Sequence, residues 1–182
     1  MPSSLITKKA LAYSLKQLME KVPLNKITVQ DIVDNCDLNR QTFYYHFQSI
    51  FDLLEWIYKT EVVESISENT SYKTWTDGYL KILLYIEKNK KFCLNTYKYT
   101  ERDNLNRIMY TITNRLLSGV VREVLQNMGL KEEDRKLVCN FYSLALIGLL
   151  VQWFSQGMKK KPEVIIGRLC KLEQNFERVL EG

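Results

Sequence analysis

Histidine is nearly missing from this chain: His46 is the only one in 182 residues. That leaves no material for a multi-histidine metal site or a histidine-centred triad, and a lone histidine on a helix reads as a packing or phosphate-facing group. Proline and glycine are also scarce, three and seven, and few stretches alternate apolar with polar residues. Sheets need that alternation, so helices nearly throughout are expected. No glycine-rich phosphate loop and no pair of carboxylates set for acid and base work occur, which argues against an enzyme and against a cofactor. The four cysteines, Cys36, Cys93, Cys139 and Cys170, lie far apart with no C-x-x-C spacing, and read as small apolar core residues in a reducing compartment.

Long apolar runs are lacking too. The N-terminus, MPSSLITKKAL, has two lysines and no apolar stretch behind them, so it does not read as a signal peptide. The longest apolar run, Phe141 to Phe154, is interrupted by Ser143 and Gln152 and is too short to span a bilayer. A cytoplasmic protein with no membrane partner is expected. Its formal charge of +5 fits a nucleic-acid partner without requiring one. Within residues 1–47 the excess is small: Lys8, Lys9, Lys16, Lys21, Lys26 and Arg40 face Glu20, Asp31, Asp34 and Asp37.

What is present is a compact pattern between Thr28 and Phe47. Val29, Ile32, Val33 and Cys36 recur at helical spacing behind Thr28, an N-cap residue. Asn39 is placed to cap a second helix, which buries Phe43 and Phe47 and leaves Arg40, Gln41, Tyr44 and Tyr45 outside. Between the two, Asp37 stands where the chain must reverse, and Asp tolerates left-handed backbone better than most residues. Two short helices joined in this way form the helix-turn-helix geometry, whose second helix fits the DNA major groove, where all four base pairs differ.

The strings ITVQDI over residues 27–32 and TFYYHF over 42–47, followed by Leu53 and Leu54, resemble the N-terminal domain of the TetR family of transcriptional regulators. By that resemblance Thr28, Arg40, Gln41, Thr42, Tyr44, Tyr45 and His46 lie at double-stranded DNA. Arg pairs bidentately with guanine and Gln with adenine, so Arg40 and Gln41 are the candidates for base edges. Thr28, Thr42, Tyr44 and Tyr45 suit the phosphates. The chain departs from the family at Asp37, where Gly is usual, and at Ile50, where a phosphate-facing Lys is usual. The segment from Arg40 to Ile57 further resembles regulators of dihydroxyacetone kinase operons, which implies a TetR-like activator that works through a companion protein and has no ligand of its own.

The remaining chain reads as helices. A first one runs from Ser4 or Leu5 to Lys21 with Leu11, Leu15, Leu18 and Val22 as its stripe, ended by Pro23. Ser49 and Asp52 open a fourth, carrying Leu53, Leu54, Ile57, Tyr58 and Val62. A loop over Ser65 to Lys73 precedes a helix with Trp75, Tyr79, Ile82, Leu83 and Ile86, then a short one from Phe92 to Tyr97 and a loop over Thr100 to Asn104. A long helix from Leu105 through Val120 is closed by Gly129, and the next spans Glu132 to Gln156. Pro162 opens the last, with Ile165, Ile166, Leu169, Leu172, Phe176 and Val179 in line.

These elements define an all-α protein with a three-helix helix-turn-helix domain, 1–48, and a helical-bundle regulatory and dimerisation domain, 49–182. The helix over Phe141 to Phe154 is apolar all round and must be covered all round. A homodimer through Leu146, Leu150 and Phe154 with Ile165, Leu169, Leu172 and Phe176 supplies the cover. Trp75, Tyr79, Tyr97, Tyr110, Tyr142 and Trp153 are candidates to line an aromatic pocket for a small-molecule effector, as is Tyr85. The leading expectation is a homodimeric, ligand-responsive repressor on a palindromic operator. The alternative is a coactivator that docks a companion protein.

Overall fold

The computed structural model describes residues 2–126, 129 and 131–180, with side chains over residues 4–171 of that set. The described residues contain helices and no strand. In chain order these are α1 (Pro2–Met19), α2 (Val29–Asp34), α3 (Arg40–His46), α4 (Ile50–Tyr58), α5 (Trp75–Lys88), α6 (Lys90–Tyr99), α7 (Arg102–Leu125), α8 (Glu132–Ser155) and α9 (Pro162–Leu180). A single turn of 3₁₀ helix, Leu24–Lys26, follows α1, and a π-helical turn, Lys59–Val63, extends α4.

Two compact units result, and neither is one unbroken stretch of chain. The first joins Met1–Glu61 to Asn89–Ile108, and the second joins Val62–Lys88 to Met109–Gly182. Where the sequence suggested a border after residue 48, α4 and α6 instead keep company with α1. Apolar side chains explain this for α4, because Leu53, Leu54 and Ile57 are wholly buried with Leu11 and Leu15 of α1. For α6 the tie is polar: Asn95 Oδ1 accepts from Leu24 N at 2.8 Å, and Asn95 Nδ2 donates to the carbonyls of Met19 and Val22, each at 2.7 Å. One side chain thereby satisfies the backbone groups left open where α1 ends.

Helix α1 stops at Met19, earlier than Lys21, and its buried stripe is Leu11, Ala12, Leu15 and Met19. Leu18 is only half-buried and Val22 is exposed, since the chain has left helical geometry before Val22 is reached. Near its middle, Ser14 Oγ donates to the Ile32 carbonyl at 2.7 Å and locks α1 across α2.

In the second unit Tyr79, Ile82, Leu83 and Leu116 fill the interior, and the Tyr79 hydroxyl donates to the Leu146 carbonyl at 2.9 Å. The segment before α5 is polar but anchored. Ile66 is buried, Lys81 Nζ donates to Asn69 Oδ1 at 2.8 Å, and Tyr72 N donates to Glu123 Oε2 at 2.9 Å. Gly119 of α7 lies so close to this segment that a Cβ there would stand 2.2 Å from the Thr70 carbonyl oxygen. Helix α6 is longer than the expected Phe92 to Tyr97, and α7 starts at Arg102, inside the expected loop. Helix α7 ends at Leu125, and Gly129, at φ 62°, lies in the turn beyond it.

Helix α8 closes on Gly157 and Met158, both left-handed, with Met158 N donating to the Trp153 carbonyl at 2.9 Å. By length and composition alone α8 is long and apolar enough to cross a membrane, a test that the core helix of a bundle also passes, and 33% of its most apolar stretch is buried within the chain.

Candidate nucleic-acid interface

The turn and caps around α2 and α3 follow from single residues. Thr28 Oγ1 accepts from Asp31 N at 3.2 Å and donates to Asp31 Oδ2 at 2.7 Å, while Thr28 N donates to the same carboxylate oxygen at 2.8 Å. This reciprocal box starts α2, and the hydrogen bonds from Thr28 hold the Asp31 carboxyl below its ordinary value. Asp37 takes φ 52°, the left-handed conformation that the reversal needs, and lets Leu38 N donate back to the Val33 carbonyl at 2.9 Å. Leu38 itself is half-buried under the turn.

Asn39 then caps α3. Its Oδ1 accepts from Thr42 N at 2.8 Å and from Thr42 Oγ1 at 3.0 Å. Phe43 is fully buried and Phe47 nearly so, their rings 6.0 Å apart, and Phe47 rests against Trp56 of α4 at 6.0 Å. Burying an aromatic of this size stabilises by about 1.5–3 kcal/mol, enough to orient a helix of two turns. The opposite side of α3 faces solvent. Arg40 and Gln41 are exposed in its first turn, and Tyr44 and Tyr45 follow, Tyr45 with 83% of its surface accessible. The Arg40 guanidinium stands 6.0 Å above the Tyr44 ring, and His46, half-buried, meets Tyr45 edge-on at 4.9 Å.

Of the seven residues singled out for DNA, Thr28 lies at the start of α2 and the other six on α3. Thr28 and Thr42 commit their hydroxyls to the helix starts, so they differ from Arg40, Gln41, Tyr44 and Tyr45, whose polar groups are outward. The first unit braces this surface from behind. Lys16 Nζ pairs with Glu61 at 2.6 Å, Arg107 lies 4.6 Å over the Phe51 ring and 3.4 Å from Glu55, and Tyr58 stacks on Phe92 at 5.3 Å while its hydroxyl donates to Thr96 at 3.0 Å. Asn95 and Arg107 were not legible as supports, because nothing in local periodicity links residues seventy or fifty positions away.

The aromatic residues expected to line a pocket differ in burial. Tyr79 is core, and Trp153 is buried with its indole N–H donating to the Lys160 carbonyl at 2.8 Å. Trp75 is half-buried and Tyr142 exposed. Tyr97 and Tyr85 are half-buried, Tyr97 in the first unit and Tyr85 in the second. Tyr110 lines a polar cleft, where it hydrogen-bonds Asn140.

The residues expected at a dimer interface divide by burial. Leu146, Leu150 and Phe154 are buried inside the chain's own second unit. Ile165 and Leu169 are half-buried, and the side chains of Leu172, Phe176 and Val179 lie outside the described residues. The apolar surface left open on α8 is its other side: Leu137, Phe141 and Leu144 are each more than 60% accessible, and Ala145 and Gly148, also exposed, continue the line. Both sides are apolar, so periodicity did not say which one the bundle takes.

A capped, outward-facing helix behind a left-handed turn, on a three-helix base, is the reading head of a DNA-binding transcriptional regulator. Residues 15–57 match the family described as bacterial regulatory proteins, tetR family, and residues 73–175, more than half of the chain, match the description transcriptional regulator C-terminal region. The chain belongs to the TetR family of transcriptional regulators, in the subgroup similar to dihydroxyacetone kinase operon regulators. It is 27% identical over 181 residues to the HTH-type dhaKLM operon transcriptional activator DhaS of Lactococcus lactis subsp. lactis (strain IL1403), covering 97% of this chain and 96% of that protein. A solved structure of the dihydroxyacetone kinase operon activator DhaS superposes with a TM-score of 0.72 at 23% identity, over 96% of this chain and 98% of that one, which establishes the shared fold.

Proposed function

We propose that this regulator reads a palindromic operator as a homodimer, with Arg40 and Gln41 on base edges and Tyr44 and Tyr45 on phosphates. The observation that carries the reading is the polar outer side of α3, held in place by Phe43 within and by the Asn39 cap at its start. Thr28 and Thr42 set the ends of their helices, and His46 supports Tyr45 from the side. Two copies join through the open apolar side of α8, because a face with Leu137, Phe141 and Leu144 in water is costly until covered. Dimer symmetry then matches two half-sites about one helical turn apart. The protein works in the cytoplasm, where its DNA is, and performs no catalysis.

A second reading concerns the sense of regulation. The relative from Lactococcus lactis is named as an operon activator. That favours activation, with a companion protein engaged by the second unit, over release by a small-molecule ligand. A titration of purified protein against the DNA upstream of its own operon, at rising salt, tests the DNA role. Affinity should fall steeply with salt and prefer one sequence over scrambled DNA of equal length. Equal affinity for both sequences would remove the base-reading role. Reconstitution of transcription with and without copurifying protein decides the sense of regulation.

A further inference from the structure

The inward side of α8 changes chemistry along its length. From Leu146 to Trp153 it is apolar and packed, but one and two turns earlier it presents Ser143 and Cys139, and then Arg135 and Glu132. An inward stripe that opens on an arginine calls for an acceptor, yet Arg135 Nε is buried without a hydrogen-bond partner. Beside it, α7 and α8 enclose a cleft of about 370 Å³, lined by Arg122, Arg135 and Lys136 and by the single carboxylate of Glu132. None of the three cations is ion-paired among the described residues.

Polar groups prepare the remaining wall. Asn114 Nδ2 donates to the Tyr110 hydroxyl at 3.2 Å and lies 3.4 Å from Cys139 Sγ, while Tyr110 is tied to Asn140. Those side chains are held by one another and leave the cations as the unsaturated part of the site. The lining carries two more positive than negative groups, which suits a dianion. Arginine forks match the oxygens of a phosphate, and lysine adds a point charge. The volume exceeds that of a bare phosphate and falls at the small end of ligand pockets, so the occupant has a short polar remainder beside Ser118 and Asn140.

We infer that this cleft between α7 and α8 binds a small phosphate ester, held by Arg135, Arg122 and Lys136. It lies on the side of α8 opposite the open apolar face, and of the aromatic candidates Tyr110 lines it. As an effector position it rests on the regulatory role proposed above, but binding itself does not.

The test uses the full chain without DNA, at constant ionic strength balanced with sodium chloride, and follows thermal unfolding while inorganic phosphate, glycerol 3-phosphate or malonate is added. A ligand that binds only the folded chain raises Tm with concentration. Glycerol 3-phosphate should give a saturable rise, phosphate a weaker one and malonate none. Arg135→Gln should weaken glycerol 3-phosphate by about tenfold or more, and without ligand it should melt no lower than wild type, because it removes a buried donor that lacks an acceptor. Lys136→Gln, on the exposed rim, should keep the fold and weaken binding by a few fold. The inference is overturned if wild type shows no saturable rise, if malonate matches the ester, or if binding persists unchanged in Lys136→Gln and in any Arg135→Gln protein that folds. Because no DNA is present, loss of this site leaves the reading head untouched, and failure to bind DNA leaves this measurement intact.

Discussion

Helices α3 and α8 each leave large side chains in water, and the kind of side chain separates their purposes. On α3 the exposed groups are Arg40, Gln41, Tyr44 and Tyr45, every one with a hydrogen-bonding tip, so the surface is content in solvent and equally ready for a polyanion. On α8 the exposed groups include Leu137, Phe141 and Leu144, which offer water nothing. A surface of the first kind exchanges one set of hydrogen bonds for another on meeting a partner, whereas one of the second kind gains mainly by leaving water. Exposure alone therefore does not identify a binding surface; exposure weighed against residue chemistry does.

The strongest way to break this comparison is to put charge on α8. Phe141→Glu together with Leu144→Glu should shift the assembly from dimer to monomer, raising its dissociation constant at least a thousandfold, about 4 kcal/mol by the affinity relation. Light scattering would register the change while circular dichroism stayed constant. A dimer that persisted would move the interface elsewhere. On the other helix, the inner and outer sides can be set against each other. Phe43→Ala should destabilise the first unit by about 3–5 kcal/mol in urea unfolding, through the cavity it opens. Arg40→Ala should leave that midpoint unchanged and cost about 1–3 kcal/mol in operator affinity, with relaxed preference at one position per half-site.

A smaller effect is expected at the start of α2. Thr28→Ala removes the box with Asp31 and should cost about 1 kcal/mol in stability, with DNA affinity following only in proportion. A large loss of affinity with little loss of stability would return Thr28 to the phosphate backbone. The buried thiol of Cys93, which burial pushes up to about 12, gives a test through pH. A thiol whose folded value lies above its unfolded one, near 8.5, binds its proton more firmly in the folded state. Its stabilisation is present below that unfolded value and is lost as pH climbs from there toward 12. Urea midpoints at pH 8 and pH 10 should thus fall less in Cys93→Ala than in wild type.

Much of this was legible beforehand because the signals were local. The left-handed backbone at Asp37, the caps at Thr28, Asn39 and Ser49, and the buried pair Phe43 and Phe47 each depend on residues within one or two turns. The missed features depend on distant ones. Nothing near Asn95 announces that it closes the end of α1, and nothing near Gly119 announces the Thr70 carbonyl against it. Which side of α8 meets its own bundle was not legible, because Leu146, which is buried, and Leu144, which is exposed, are equally apolar.

By itself the sequence determined the helical class, the reading head and its orientation, since capping and a one-sided apolar stripe act through neighbours along the chain. Tertiary structure alone decided that α6 joins the first unit, which side of α8 stays open, and that Arg122, Arg135 and Lys136 share one cleft. Those outcomes rest on packing between segments far apart in the chain, where shape and the satisfaction of buried polar groups choose among sides that hydrophobicity ranks as equal.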